Sequence, residues 1–130
     1  MLNFWAILVI TVIYFILGFF WYSKFLFGNI WAKALNYNID ELSAEPKMFI
    51  GAAISAFVTT LFLALLLELI GTYDILTAFL FGLLVGAIAV VVGFFNVIYE
   101  DKNIKAYAVD VGYHLVALII AGLILGLWQI

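Results

Sequence analysis

Four long apolar segments separated by three more polar connections constrain this chain more than any other feature. Residues 4–22 carry no charge, and their length matches the ~20 residues that a helix needs to cross ~30 Å of hydrocarbon. Residues 48–70, 75–98 and 108–128 are long enough to do the same with some tilt. Strands of a membrane barrel would alternate apolar and polar residues, whereas Leu61-Phe62-Leu63-Ala64-Leu65-Leu66-Leu67 is apolar throughout. Helices satisfy their own backbone groups in lipid, so the expected fold is an all-α integral membrane protein. Its four transmembrane helices would form one antiparallel bundle over residues 1–130. Composition agrees: 69% of residues are apolar and 10% charged, against about 25% charged in soluble domains.

The connections differ in length. Gly71-Thr72-Tyr73-Asp74 is a tight turn, which leads to the expectation that the second and third spans lie side by side as a hairpin. Residues 99–107 are short and polar. The stretch 23–47 is the long one, and it holds most of the charge and Pro46, suited to the first turn of the helix that follows. Within it, Phe27, Ile30, Trp31 and Ala34 recur at helical spacing while Asn29 and Lys33 turn away, predicting a short interfacial helix over about 25–36. Residues 1–5 lack the positive charge of a signal peptide and residues 18–22 lack a small-residue cleavage site, so the first segment is expected to remain as a span.

Lysine placement gives an orientation. Lys24, Lys33, Lys47, Lys102 and Lys105 all fall on the face opposite the termini and the Gly71–Asp74 turn, and cytoplasmic loops retain such residues. Both termini are therefore expected outside a prokaryotic cytoplasmic membrane. Trp5, Tyr73 and Trp128 would mark the outer interface, and Trp21, Tyr22, Tyr99 and Tyr107 the inner one.

The run Gly18-Phe19-Phe20-Trp21-Tyr22-Ser23-Lys24-Phe25-Leu26-Phe27-Gly28-Asn29-Ile30-Trp31 resembles the signature of DUF1761, a family of small four-span prokaryotic membrane proteins defined as a domain of unknown function. The matching positions are Gly18, Trp21, Tyr22, Phe27, Gly28 and Trp31, and Lys24 stands where that pattern has proline. A Gly-Tyr pair early in the last helix, preceded by an acid, is similar to Asp110 and Gly112-Tyr113 here. The resemblance implies the four-span layout and no mechanism.

Small residues mark helix contacts. Gly82, Gly86, Ala89 and Gly93 share one side of the third span, Gly122 and Gly126 repeat the spacing on the fourth, and Gly51, Ser55 and Thr59 follow it on the second. Polar groups inside spans mark functional candidates, because hydrocarbon makes them costly. Asp110 and His114 are four residues apart on one face of the last helix. With a helix start near Ala108, His114 lies roughly 9 Å inside it. Asn96 at similar depth and Tyr113 complete a possible cluster. A histidine beside a carboxylate suits a proton relay or polar-substrate site; the same pair also suits a sealed helix end. Glu68 is the other intramembrane acid, read as solvated near the outer surface.

Several functions are excluded. The chain has no arginine and five lysines in all, too few to neutralise nucleic acid. One histidine and no cysteine build no ordinary zinc site, and Ser23, Ser43 and Ser55 have no nucleophile-elbow context, so neither a metal, a cofactor nor an enzyme is expected. Two functions stay open. One is a small oligomeric transporter or permeation protein for an ion or small polar solute; four spans seldom enclose a pathway alone, so this needs a homo-oligomer. Small multidrug transporters share the size but depend on an acid in the first helix, where residues 4–22 have none. The other is a non-catalytic scaffold or accessory subunit whose partners are the bilayer and neighbouring helices.

The orientation is testable in this cysteine-free chain. An impermeant thiol reagent on intact cells should label Thr72→Cys and spare Asn103→Cys; the reverse pattern overturns it.

Overall fold

The computed structural model describes residues 2–41 and 45–128, so Ser43 lies outside the described residues. All regular structure among them is helical. Helix α1 spans Phe4–Trp21, the short α2 Gly28–Ala34, α3 Pro46–Ile70, α4 Ile75–Tyr99 and α5 Ile104–Leu127, with a 3-10 turn at Ile39–Glu41 between α2 and α3. The four long helices are apolar and long enough to cross a membrane. Compared with the sequence reading, α5 starts four residues earlier, at Ile104. His114 therefore sits about 15 Å along its helix rather than 9 Å, near the middle of the span.

Local chemistry sets the helix ends. The Asn3 side chain accepts from the Ala6 amide at 3.1 Å, Asp74 from Thr77 at 2.8 Å and Asn103 from Lys105 at 2.8 Å, so three of the long helices begin on side-chain caps. Hydrogen bonds from Thr77 hold the Asp74 carboxyl below its ordinary value. Pro46 opens α3, where its missing N–H costs nothing. Gly71 ends α3 at φ +94°, a conformation that L side chains seldom adopt.

The dominant pairings are α4 with α5, α5 with α1 and α1 with α3. Helices α3 and α4 touch far less, so the tight turn joins them without making the expected hairpin. The reason is which faces are flat. On α4, Ala78, Gly82 and Gly86 are the buried residues, and they meet α5 in one antiparallel register. A Cβ at Gly82 would collide with the Leu118 carbonyl oxygen, and one at Gly122 with the Ala78 carbonyl oxygen. A Cβ at Gly126 would stand 2.8 Å from Ile75 Cα and one at Gly86 2.6 Å from Leu115 Cδ1. Toward the other end, a Cβ at Gly93 would lie 3.2 Å from the Tyr107 ring, and the Tyr107 hydroxyl donates to the Val90 carbonyl. Ala89 faces outward, leaving the stripe.

No such surface exists on α3. Gly51 has nothing within 4 Å of where a Cβ would be, and Ser55 is also exposed, so this stripe faces outward, contrary to the sequence reading. The buried face of α3 is Ala56, Thr60, Leu63, Ala64 and Leu67. Leu63, Ala64 and Leu67 join Ala6, Ile7 and Ile10 of α1, Ala78 of α4 and Leu118, Ala121 and Leu125 of α5 in one apolar cluster at the end nearer the termini. Thr60 is buried there with its hydroxyl donating to the Ala56 carbonyl at 2.7 Å, which removes the cost of its polarity.

The glycine contacts predict unequal substitutions. Gly82→Ala and Gly122→Ala should each lower thermal stability in detergent, by an overpacking cost of about 1–3 kcal/mol. Gly51→Ala should leave it unchanged or raised, since alanine favours helix by up to ~1 kcal/mol over glycine. Thermal unfolding of the three variants against the parent checks both; equal effects refute the packing.

Candidate functional site

Two stretches far apart in sequence meet at the loop-side half of the bundle. From α1 come Tyr14, Gly18, Trp21 and Tyr22; from α5 come Val109, Asp110, Gly112, Tyr113 and His114. The fit is reciprocal. A Cβ at Gly18 would stand 2.7 Å from the Tyr113 hydroxyl oxygen, and one at Gly112 would stand 3.2 Å from the Trp21 ring. Each helix thus inserts one large aromatic side chain against a glycine of the other.

Hydrogen bonds follow the same seam. The Trp21 indole N–H donates to the Val109 carbonyl at 2.9 Å, and the Tyr113 hydroxyl to the Tyr14 carbonyl at 2.7 Å. Tyr22 donates to Asp110 Oδ1 at 2.5 Å, while Lys102 Nζ lies 3.1 Å from Asp110 Oδ2. The Tyr14 hydroxyl and His114 Nδ1 share a hydrogen bond of 2.5 Å. The rings of Tyr14 and Tyr22 both stand edge-on to Tyr113, with centroids 5.3 and 5.7 Å away, and His114 lies 4.8 Å from Tyr113. Such aromatic pairs add about 0.5–1.5 kcal/mol beyond burial.

The turn after α1 completes the frame. The Phe27 amide donates to the Trp21 carbonyl at 2.9 Å and the Gly28 amide to the Ser23 carbonyl at 2.9 Å, so the chain folds back and α2 starts level with the end of α1. A Cβ at Gly28 would collide with the Tyr22 carbonyl oxygen. The Phe27 ring packs on Trp21 at 4.6 Å and Trp31 on Tyr22 at 5.4 Å. Helix α2 buries Gly28 and Ala32, while Ile30 is half exposed; its inner face is thus rotated from the predicted Phe27, Ile30, Trp31 and Ala34 stripe. The Trp31 indole nitrogen is buried with no hydrogen-bond partner among the described residues.

Of the residues singled out from sequence, Asp110, Tyr113 and His114 come together, but they face α1. Asn96 does not join them. It is exposed on α4, and its carbonyl accepts from the Glu100 and Lys102 amides at the helix end. The physical reason is that α4 packs on a different flank of α5, through Leu115, Leu118 and Gly122. Glu68 is half-buried near the end of α3, remote in the chain order of the bundle from the seam, and its carbonyl accepts from the Gly71 amide. Among the described residues no group of three or more His, Cys, Asp or Glu side chains is arranged to hold a metal ion.

Sequence reasoning missed Tyr14 and Lys102. The signal for Tyr14 was present: Tyr14, Gly18 and Tyr22 recur every fourth residue and so line one face of α1. Lys102 lies eight residues before Asp110, on the loop before α5, and no helical spacing relates the two.

Four apolar helices of membrane length, two of them joined through a Gly-x-x-Trp-Tyr segment and an Asp-x-Gly-Tyr-His segment, define a small four-span class of membrane protein. Residues 5–126 match the family model described as Protein of unknown function (DUF1761), and the chain belongs to that family. No curated protein and no solved structure matches the chain.

A double-mutant cycle of Tyr22→Phe and Asp110→Asn, read by thermal unfolding, should return a coupling of about 0.5–2 kcal/mol, the span measured for hydrogen bonds between membrane helices. Additive losses would mean that the two side chains do not interact.

Proposed function

We propose that this protein is a non-catalytic membrane scaffold or accessory subunit, and that the α1–α5 seam is its internal clasp. The observation that carries this reading is that the polar groups of the seam are engaged with one another. Asp110 is held by Tyr22 and Lys102, His114 by Tyr14, and Trp21 and Tyr113 by backbone carbonyls of the facing helix. A transport site keeps such groups facing water or substrate.

The course of the seam supports the same reading. Polar side chains run from Lys102 and Asp110 at the loop end to Tyr14 and His114 near mid-span. Beyond them the interface is apolar, formed by Ile7, Ile10, Leu63, Leu67, Leu118 and Leu125. Ions and protons need polar groups along their path, and among the described residues Thr60 is the buried polar side chain of this half, its hydroxyl taken up by the Ala56 carbonyl. Thr11, the next polar residue of α1, donates its hydroxyl to the Ile7 carbonyl at 2.7 Å. In this reading both termini lie outside a prokaryotic cytoplasmic membrane, by the lysine distribution, and α2 with the Lys102 loop lies inside.

The experiment is flux in proteoliposomes holding correctly inserted protein and a pH-sensitive dye, across a panel of small ions and polar solutes. The expected result is no flux above empty liposomes for the parent or Asp110→Asn, together with lower thermal stability of Asp110→Asn. Flux in the parent that Asp110→Asn abolishes, with folding retained, would instead make the seam a transport site.

A further inference from the structure

Around the C-terminal end of α2, Asn29, Ala32, Lys33, Asn36, Tyr37, Asn38 and Ile39 line an open cleft of about 390 Å³. We propose that this cleft binds the phosphate headgroup of an anionic phospholipid.

The lining is rich in donors. Lys33 offers an ammonium, Tyr37 a hydroxyl, and Asn29, Asn36 and Asn38 offer carboxamide N–H groups, the set a phosphate oxyanion accepts from. Among the described residues no side-chain hydrogen bond or ion pair uses these donors. Lys24, Lys47 and Lys102 each pair with a carboxylate, but Lys33 makes no ion pair among the described residues. Asn38 Oδ1 accepts from the Asp40 amide at 3.0 Å, which leaves the Asn38 N–H groups available.

Of the two acids that follow Ile39, one is balanced within the chain. The Asp40 carboxylate is bonded to Lys24. The C-terminal carbonyls of α2, which would repel an anion, are covered: Trp31 accepts from the Leu35 amide at 3.1 Å, Lys33 from Asn36 at 3.2 Å and Ala32 from Tyr37 at 2.8 Å.

Position selects lipid over a soluble anion. The Gly28 and Phe27 backbone bonds hold α2 level with the end of α1, where a spanning helix leaves the hydrocarbon. Phe25, Leu26 and Ile30 beside it are 89%, 43% and 50% exposed, apolar side chains that acyl chains would cover. A headgroup in the cleft and chains against these three residues satisfy both surfaces with one molecule.

The test uses the full chain in detergent, with thermal unfolding and native mass spectrometry on added phosphatidylglycerol, phosphatidylcholine or inorganic phosphate. Phosphatidylglycerol should stabilise the parent and stay bound more than phosphatidylcholine, and inorganic phosphate should do neither. Lys33→Gln should weaken phosphatidylglycerol about fivefold, the factor for one lysine at an anionic surface. Lys105→Gln, with the same charge loss and also no ion pair among the described residues, should leave it unchanged. Lys33 and Lys105 are both exposed, so unfolding of the two variants without lipid should match the parent. Equal losses in the two variants, or equal binding of phosphatidylcholine, overturn the site. Full stabilisation by inorganic phosphate overturns its assignment to lipid.

Discussion

Hydrocarbon is as apolar as leucine, so helices inside it gain little by burying leucine against leucine, and their association depends on close backbone approach and on hydrogen bonds that lipid cannot make. That constraint organises this protein around α5. One flank carries Leu118, Gly122 and Gly126 and lets α4 approach until backbone meets backbone. Another flank carries Val109, Asp110, Tyr113 and His114, and every one of them accepts or donates a hydrogen bond across to α1. Helix α5 is thus fixed twice, by shape on one side and by polarity on the other.

The two kinds of contact complement each other. Glycine contacts need flat, featureless surfaces and tolerate no added methyl group, yet they carry little information about rotation or register beyond the spacing of the glycines. The seam supplies that information. Tyr113 fits over Gly18 while Trp21 fits over Gly112, and the four hydrogen bonds are each directed to one atom. Buried polar groups in a membrane are expensive when unpaired, so a shift of α1 along α5 by one turn would strand Tyr14, Trp21 and Tyr22 together. The cost of the wrong register is what makes the right one well defined. Helix α3 has neither device, and it attaches to α1 through ordinary apolar packing around Ile7, Ile10, Leu63 and Leu67.

In the proposed reading, a pattern of residues that looks like a proton-handling site has a simpler physical content. Asp110 and His114 do share a face of one helix, but each is matched by a tyrosine that arrives from another helix at 2.5 Å. The side chain that would have extended the cluster, Asn96, belongs to the helix on the glycine flank. Such a division follows from the division of labour on α5: the face that approaches α4 backbone to backbone has no room for polar side chains between the helices.

The sequence by itself determined the number of spans, the helical class and the short helix between the first two, because length and uninterrupted apolarity in lipid admit only helices. It also marked which glycines matter on α4 and α5, since the small-xxx-small spacing reports a flat face. It did not determine which helix meets which face. Gly51, Ser55 and Thr59 have the same spacing as Gly82 and Gly86, yet Gly51 and Ser55 point outward and Thr59 is only half-buried, because a flat stripe is useful only where a second flat stripe opposes it. Likewise the turn at Gly71–Asp74 fixed the connection of α3 to α4 and not their contact. Those pairings were decided by the tertiary structure: α4 follows the glycines of α5, and α1 follows its tyrosines and tryptophan, because partners from separate parts of the chain must be present together before either contact has any energy at all.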